Sequence, residues 1–118
     1  MFTAVDSAEN ADELVHSLTG FLTDDVVFVI GNEDPLEGKD SVALKVRKSL
    51  TVLEKVRHEI HDVWQASEDA DVLIAQMTTH HSRLDGNIVS LPSCHMFRMR
   101  GNLVAHSQTY MDATPVFA

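Results

Sequence analysis

The second half of the chain carries four long segments whose apolar residues recur with a period of two, and this pattern constrains the fold most. The segments cover residues 56–67, 71–83, 88–100 and 103–112. A period of two over such lengths is typical of β-strands. Two of the connections contain the pairs Asp85-Gly86 and Gly101-Asn102, which suit two-residue turns between antiparallel neighbours. The sequence therefore predicts an antiparallel meander of four strands.

Two amphipathic helices and a short strand precede this meander. Asn10 is the predicted N-cap of a helix that ends at Gly20, and Glu13 takes the capping-box position. A second helix is predicted over residues 40–53, and the β-branched run at 26–30 predicts a buried strand between the two helices. Helices followed by antiparallel strands favour an α+β fold, in which a curved, mostly antiparallel sheet and its covering helices leave an internal cavity.

Length and charge exclude several classes of protein. The 118 residues predict one domain spanning residues 1–118. The net charge of −9 argues against nucleic-acid and anionic-membrane partners. Cys94 is the only cysteine, so an internal disulfide is excluded. No apolar run is long enough to span a bilayer and residues 1–6 lack the pattern of a signal peptide, so we expect a cytoplasmic protein.

The two turns fix which side chains share a face of the predicted sheet. If each pair of turn residues is central to its hairpin, one face collects a mixture of aromatic, aliphatic and polar groups. This face is the predicted cavity wall. It carries Ile74, Gln76, Thr78, His80, Leu91, Ser93, His95, Phe97, His106, Gln108, Tyr110 and Asp112.

The opposite face is apolar and nearly uncharged. We expect it to pack against a second copy of the chain in a homodimer, because a small domain would otherwise expose it to water. The side chains that carry this prediction are Met77, Cys94, Met96 and Ala105.

Asp34, His95 and Asp112 are the candidate catalytic residues. An apolar cavity would raise the pKa of Asp112 and suit it to move a proton near neutral pH, although a strand-end aspartate can also cap a turn. Asp34 lies among glycine, asparagine and proline, where a turn role is the alternative. His95 lies in the middle of a strand, either as a hydrogen-bonded structural residue or as a donor to a ligand.

The residues predicted to contact a ligand lie on the cavity wall or next to it. They are His58, Trp64, Gln76, Thr78, His80, Phe97, His106, Gln108 and Tyr110. The histidines lack the close spacing with which a single element chelates a metal, so we expect no metal site. We also expect no cofactor.

Several segments resemble the nuclear-transport-factor-2-like, or cystatin-like, superfamily, and within it the SnoaL-like and ketosteroid-isomerase-like branch. The segments are residues 21–28, 36–42, 56–60, 91–98 and 110–112. The resemblance implies a cone whose internal pocket binds small, largely apolar molecules. Its members include steroid isomerases, polyketide cyclases, epoxide hydrolases and dehydratases, and also non-catalytic binding and assembly domains.

The resemblance also implies roles for the candidate residues. Asp34 lies near the position of the ketosteroid isomerase base, and His95 lies at the position of its oxyanion acid. The helix tyrosine of those isomerases has no counterpart, because Tyr110 is the only tyrosine. SnoaL-like cyclases use a pocket aspartate as acid and base, and Asp112 is the candidate.

The expected function is therefore that of a cofactor-independent isomerase, cyclase or dehydratase that acts on a small apolar or amphipathic molecule. The alternative is a non-catalytic ligand-binding or dimeric assembly module on the same fold.

Overall fold

Ten helices and strands account for most of residues 2–117, the part of the chain that the computed structural model describes. In chain order they are α1 (Phe2–Asp6), α2 (Ala11–Thr19), β1 (Leu22–Ile30), β2 (Leu36–Glu37), α3 (Lys39–Ser49), β3 (Leu53–Gln65), β4 (Val72–Arg83), β5 (Ile88–Arg100), β6 (Leu103–Tyr110) and α4 (Thr114–Phe117).

The six strands form one sheet in the order β2-β1-β6-β5-β4-β3. The predicted meander is confirmed, since β3 to β6 are neighbours in chain order and pair antiparallel. Only β1 and β6 pair in parallel. The sheet curves around the N-terminal helices and encloses a cavity, which is the predicted α+β cone.

Helix α3 contributes Val42 to the core, and Leu18 of α2 and Val46 of α3 pack against it. The N-cap of α2 is confirmed, because the side-chain oxygen of Asn10 accepts a hydrogen bond from the backbone nitrogen of Glu13 at 2.8 Å. The core joins the helices to β1, β4, β5 and β6. It contains Leu22, Val26, Val42, Ala75, Met77, Phe97 and Val104. None of the helices within residues 2–117 has the length and apolar character needed to cross a bilayer.

Several elements differ from the sequence prediction. Helix α3 ends at Ser49, and Leu53, the predicted last residue of this helix, instead begins β3 with its side chain in the protein interior. Strand β2 and helix α4 had no predicted counterpart. Val116 of α4 is fully buried, and its carbonyl accepts a hydrogen bond from the guanidinium of Arg83, so the short helix is held against the sheet.

The connection between β4 and β5 is a three-residue loop rather than the predicted two-residue turn. The backbone nitrogen of Arg83 donates to the carbonyl oxygen of Asn87 at 2.8 Å, so residues 84–86 form the loop. The additional loop residue shifts the register by one, and Ala75 pairs with His95. A shift of one exchanges the two faces of a strand, so the predicted faces of β4 were wrong.

The two-residue turn between β5 and β6 is confirmed, but a β-bulge follows it. Met99 pairs with Val104, as the turn requires. The next pair joins Arg98 to His106, which leaves Ala105 as the additional residue of β6. The bulge exchanges the faces of β6 beyond Ala105, so the predicted faces of this strand were wrong as well.

These two shifts decide which side chains face the helices. The concave face carries Ala75, Met77, Thr79, His81, Ser93, His95, Phe97, Ser107 and Thr109. The convex face carries Ile74, Gln76, Thr78, His80, Cys94, Met96, His106, Gln108 and Tyr110. The predicted faces of β5 were therefore right. Of the residues predicted for the dimer face, Cys94 and Met96 lie on the convex side, whereas Met77 lies in the core.

Candidate functional site

A cavity of about 500 Å³ lies between the concave face and the helices. Much of its wall is apolar, and its polar groups come from the helices and the segment after β1 as well as from β3, β4, β5 and β6. The apolar part includes Leu14, Leu18, Phe28, Val46, Leu50 and Phe97. A cavity of this size and lining suits a small organic molecule.

Asp6 and His58 form a hydrogen-bonded pair where α1 contacts β3. One carboxylate oxygen, Oδ1, lies 2.7 Å from Nδ1 of His58, and the other, Oδ2, accepts a hydrogen bond from the backbone nitrogen of His58 at 2.8 Å. The side chains of Asp6 and His58 are only 17% and 13% exposed. Because Nδ1 donates to the carboxylate, Nε2 is the ring nitrogen that carries no proton when the imidazole is neutral.

His95 lies on the same cavity wall, in a chain of hydroxyl groups. Its Nε2 is 3.1 Å from Ser93 Oγ, and its Nδ1 is 3.1 Å from Thr109 Oγ1. Ser93 Oγ is in turn 2.8 Å from Thr79 Oγ1. Burial, together with the charge of the neighbouring His58, lowers the pKa of His95 to about 4. This imidazole is therefore neutral at pH 7.

The rings of His58 and His95 approach each other closely. Their centroids are 6.4 Å apart and the ring planes are nearly perpendicular. Phe97 stacks on the His95 ring with centroids 5.9 Å apart. The aromatic contact helps to fix the ring of His95, while the hydroxyls fix its nitrogens.

A third histidine of the cavity wall, His81, was not predicted. Its Nδ1 donates to the carbonyl oxygen of Val89 at 3.2 Å, and burial lowers its pKa. The sequence signal was the adjacent pair His80-His81, whose members point to opposite faces of a strand. The error in the β4 register selected His80 in place of His81.

Two of the predicted catalytic residues lie outside the cavity. Asp112 is exposed after β6, where its Oδ1 accepts a hydrogen bond from the backbone nitrogen of Thr114 at 3.0 Å. Hydrogen bonds from the side chain and backbone of Thr114 lower the pKa of Asp112, so the predicted increase was wrong. Asp34 is exposed in the connection between β1 and β2. His95 alone of the three lines the cavity.

The predicted ligand contacts divide in the same way. His58 and Phe97 line the cavity. The convex face instead carries Trp64, Gln76, Thr78, His80, His106, Gln108 and Tyr110. For Trp64 the reason is a further irregularity of β3, near His61, after which Trp64 pairs with Ile74 and is 49% exposed.

His80 has a carboxylate partner of its own on the convex face. Its Nε2 is 2.9 Å from Glu59 Oε1, and its Nδ1 is 2.7 Å from Ser90 Oγ. Across residues 2–117, no three His, Cys, Asp or Glu side chains lie close enough together to hold a metal ion.

The sequence matches a protein-family model over most of its length. The model of a SnoaL-like domain matches residues 2–107. The chain belongs to the SnoaL-like family. A comparison with curated proteins finds no matching relative.

Solved structures confirm the fold of this SnoaL-like chain. An NTF2-like protein of unknown function from Exiguobacterium has a TM-score of 0.78 and 19% identity, with 96% of this chain and 95% of that chain covered. A protein with a ketosteroid isomerase-like fold from Catenulispora acidiphila, in complex with trimethylamine, has a TM-score of 0.77 and 14% identity over 98% of this chain and 84% of that chain. TerC, co-crystallized with polyporic acid, has a TM-score of 0.76 and 16% identity over 98% of this chain and 91% of that chain.

Proposed function

We propose that the protein is a cofactor-independent enzyme that moves a proton within a small, mainly apolar carbonyl compound bound in the cavity, with the chain acting as one domain. The observation that carries this proposal is the buried pair of Asp6 and His58 at the cavity wall. A carboxylate that orients an imidazole is a common arrangement for a general acid and base. The expected reaction is an isomerisation, a cyclisation or a dehydration.

His58 is the proposed proton carrier. Its Nε2 takes a proton from the carbon next to the ligand carbonyl, and the resulting imidazolium is stabilised by the ionised carboxylate of Asp6. The same proton then returns to another carbon, which completes an isomerisation. In a dehydration it goes to a departing hydroxyl, which leaves as water.

The hydroxyls around His95 are the proposed stabilisers of the enolate oxygen. Thr79 and Thr109 line the cavity, and each belongs to the hydrogen-bonded chain that includes His95. Hydroxyl donors held in place before reaction stabilise a developing negative charge without reorganising. His95 stays neutral at pH 7 and acts through these hydroxyls, so we assign it a positioning role rather than direct proton transfer.

Hydrogen–deuterium exchange into a simple ketone tests this proposal. We expect the protein to accelerate the exchange of the α-hydrogens of 2-tetralone in D₂O, followed by NMR. Asp6→Asn should slow this exchange by roughly 10²–10⁴-fold, because general acid–base catalysis by an oriented group contributes about that much. The loss of the carboxylate removes both the orientation of His58 and the stabilisation of its protonated form.

Glu59→Gln provides the matched control. Glu59 forms a similar pair with His80, but on the convex face and outside the cavity. Its replacement should leave the exchange rate unchanged. Equal rates for the wild type and Asp6→Asn, or 2-tetralone bound without any accelerated exchange, would contradict the proposed enzyme.

We also propose a homodimer that packs through the convex face. A row of side chains crosses five strands there, because each residue pairs with the next across the sheet. The row is Trp64, Ile74, Met96, Gln108 and Val29. An apolar strip of this kind, with Trp64 half exposed, is typical of a protein interface. The proposed compartment is the cytoplasm, on the ground of the single cysteine.

A further inference from the structure

Ser107 is a buried hydroxyl on the cavity wall that makes no hydrogen bond within residues 2–117. Its side chain is 0% exposed to solvent. On the neighbouring strands it pairs with Phe97 of β5 and with Phe28 of β1, so an aromatic residue lies on each side of it. The hydroxyl therefore lies where the cavity meets the hydrophobic core.

An unpaired hydroxyl in such surroundings needs an explanation. Most buried polar groups have a partner, because leaving one unpaired costs free energy. A trapped water molecule is a poor substitute, since it needs two or more polar neighbours and the adjacent strand positions are phenylalanines. A polar atom of a molecule that fills this end of the cavity is a better partner.

The position of Ser107 also defines a distance along the ligand. Ser107 and Thr109 are two residues apart on the same face of β6, which separates them by about 7 Å. Thr109 is hydrogen-bonded to His95, and the ring of His95 packs against His58. A ligand that reaches Ser107 from the reactive groups therefore has polar atoms roughly 7 Å apart with an apolar frame between them.

We propose that Ser107 is a specificity-determining residue that binds a carbonyl or hydroxyl group at the inner end of the ligand. The inference rests on the proposed function, because it places the ligand in the same cavity. It narrows the substrate class to two-ended molecules, apolar in the middle, with the reacting carbonyl near His58 and a second polar group at Ser107. Ser107 takes no part in the proton transfer.

Two naphthols that differ by one hydroxyl test this assignment. Isothermal titration calorimetry should show that 2,6-dihydroxynaphthalene binds the wild type about fivefold or more tightly than 2-naphthol. Ser107→Ala should bring the ratio of the two dissociation constants to about one, with little change for 2-naphthol. Because the free protein loses no hydrogen bond, the same variant should unfold at a temperature no lower than the wild type. A purely structural serine would give the opposite result for stability.

Three further variants make the experiment decisive. Thr23→Val removes another buried strand hydroxyl, one outside the cavity wall, and should keep the preference for the diol. Ser107→Cys preserves the size of the side chain but weakens its hydrogen bond, and should reduce the preference even if Ser107→Ala folds poorly. Asp6→Asn should keep the preference, which separates a failure of the proposed catalysis from a failure of this subsite. The assignment would be overturned if the wild type bound the two naphthols with equal affinity. It would also be overturned if Ser107→Ala lost the same fraction of its affinity for each of them.

Discussion

His95 makes the folded state sensitive to acid, and the size of the effect follows from its burial. The pKa of this imidazole falls from 6.5, the value expected for an exposed histidine, to about 4 in the folded protein. Burial is the main cause, and the charge of His58 adds to it. At a pH between about 4 and 6.5, the imidazole binds a proton in the unfolded chain but not in the folded protein. The free energy of unfolding therefore decreases as the pH falls below about 6.5, and this loss is complete only below about pH 4.

The magnitude is large for a small protein. The full difference in pKa corresponds to about 3 kcal/mol, since each pH unit is worth about 1.4 kcal/mol. At pH 5 the imidazole is almost fully protonated in the unfolded chain and mostly neutral in the folded protein, so about 2 kcal/mol is already lost. Small domains have a total stability of roughly 5–15 kcal/mol, so the effect is well within the range of a denaturation experiment.

Urea denaturation of the wild type and His95→Gln at pH 7.5 and pH 5.0 measures this effect. Glutamine can donate and accept hydrogen bonds but does not titrate, so the wild type should lose about 2 kcal/mol more than the variant between the two pH values. His81, whose pKa is also lowered by burial, contributes to both proteins and cancels in the comparison. His16→Gln, at an exposed position of α2, should behave like the wild type. An equal loss for the wild type and His95→Gln would refute the assignment of a buried, neutral His95.

Two further predictions concern backbone and assembly. Gly31→Ala should destabilise the protein by more than Gly101→Ala in urea denaturation. Both glycines have positive φ, which costs an alanine about 1–2 kcal/mol. Only at Gly31 would the new Cβ also lie 2.7 Å from a backbone atom, the carbonyl oxygen of Met111. Equal losses would contradict that contact. Met96→Glu should convert the proposed dimer to a monomer in sedimentation velocity. Leu44→Glu, at a highly exposed position of α3, should leave the dimer intact. A wild-type protein that is monomeric at micromolar concentration would disprove the dimer.

Much of the fold could be predicted because its signals are local. The capping residue Asn10 and the alternation of apolar side chains along β3 to β6 depend only on neighbours in sequence. The turn at Gly101-Asn102 was also correct, because a glycine with a φ of 63° suits its geometry. Strand β2 and helix α4 are too short for a periodic pattern, and their positions depend on contacts with distant parts of the chain.

The faces of the strands could not be predicted from the same signals. A face depends on the parity of the register, and one additional residue in the loop at 84–86 or at the bulge of Ala105 reverses it. Both irregularities keep the apolar and polar alternation intact, so the sequence pattern is the same with or without them. His95 was assigned to the correct face because the predicted faces of β5 agree with the structure.

The candidate site depends on Asp6 more than on any residue that the sequence suggested. Asp6 ends a five-residue helix and has no motif around it, and its partner His58 is 52 residues away in the chain. Such a pair is visible only once α1 has been placed on β3. The carboxylates that the sequence did suggest, Asp34 and Asp112, have the neighbours of turn residues. In the structure Asp112 accepts a local hydrogen bond from Thr114, and Asp34 lies exposed in the connection between β1 and β2.

Burial, rather than the pairing of a carboxylate with an imidazole, is what distinguishes the candidate site from the rest of the surface. The convex face has the pair of Glu59 and His80 at 2.9 Å, close to the 2.7 Å between Asp6 and His58. The carboxylate of Glu59 is 45% exposed, however, whereas that of Asp6 is 17% exposed. Water screens the exposed pair and competes for its hydrogen bonds. At the cavity wall less water reaches the pair, and a ligand that fills the cavity excludes more of it. The proposed chemistry therefore belongs to the concave pair, although the two pairs are built from the same kinds of side chain.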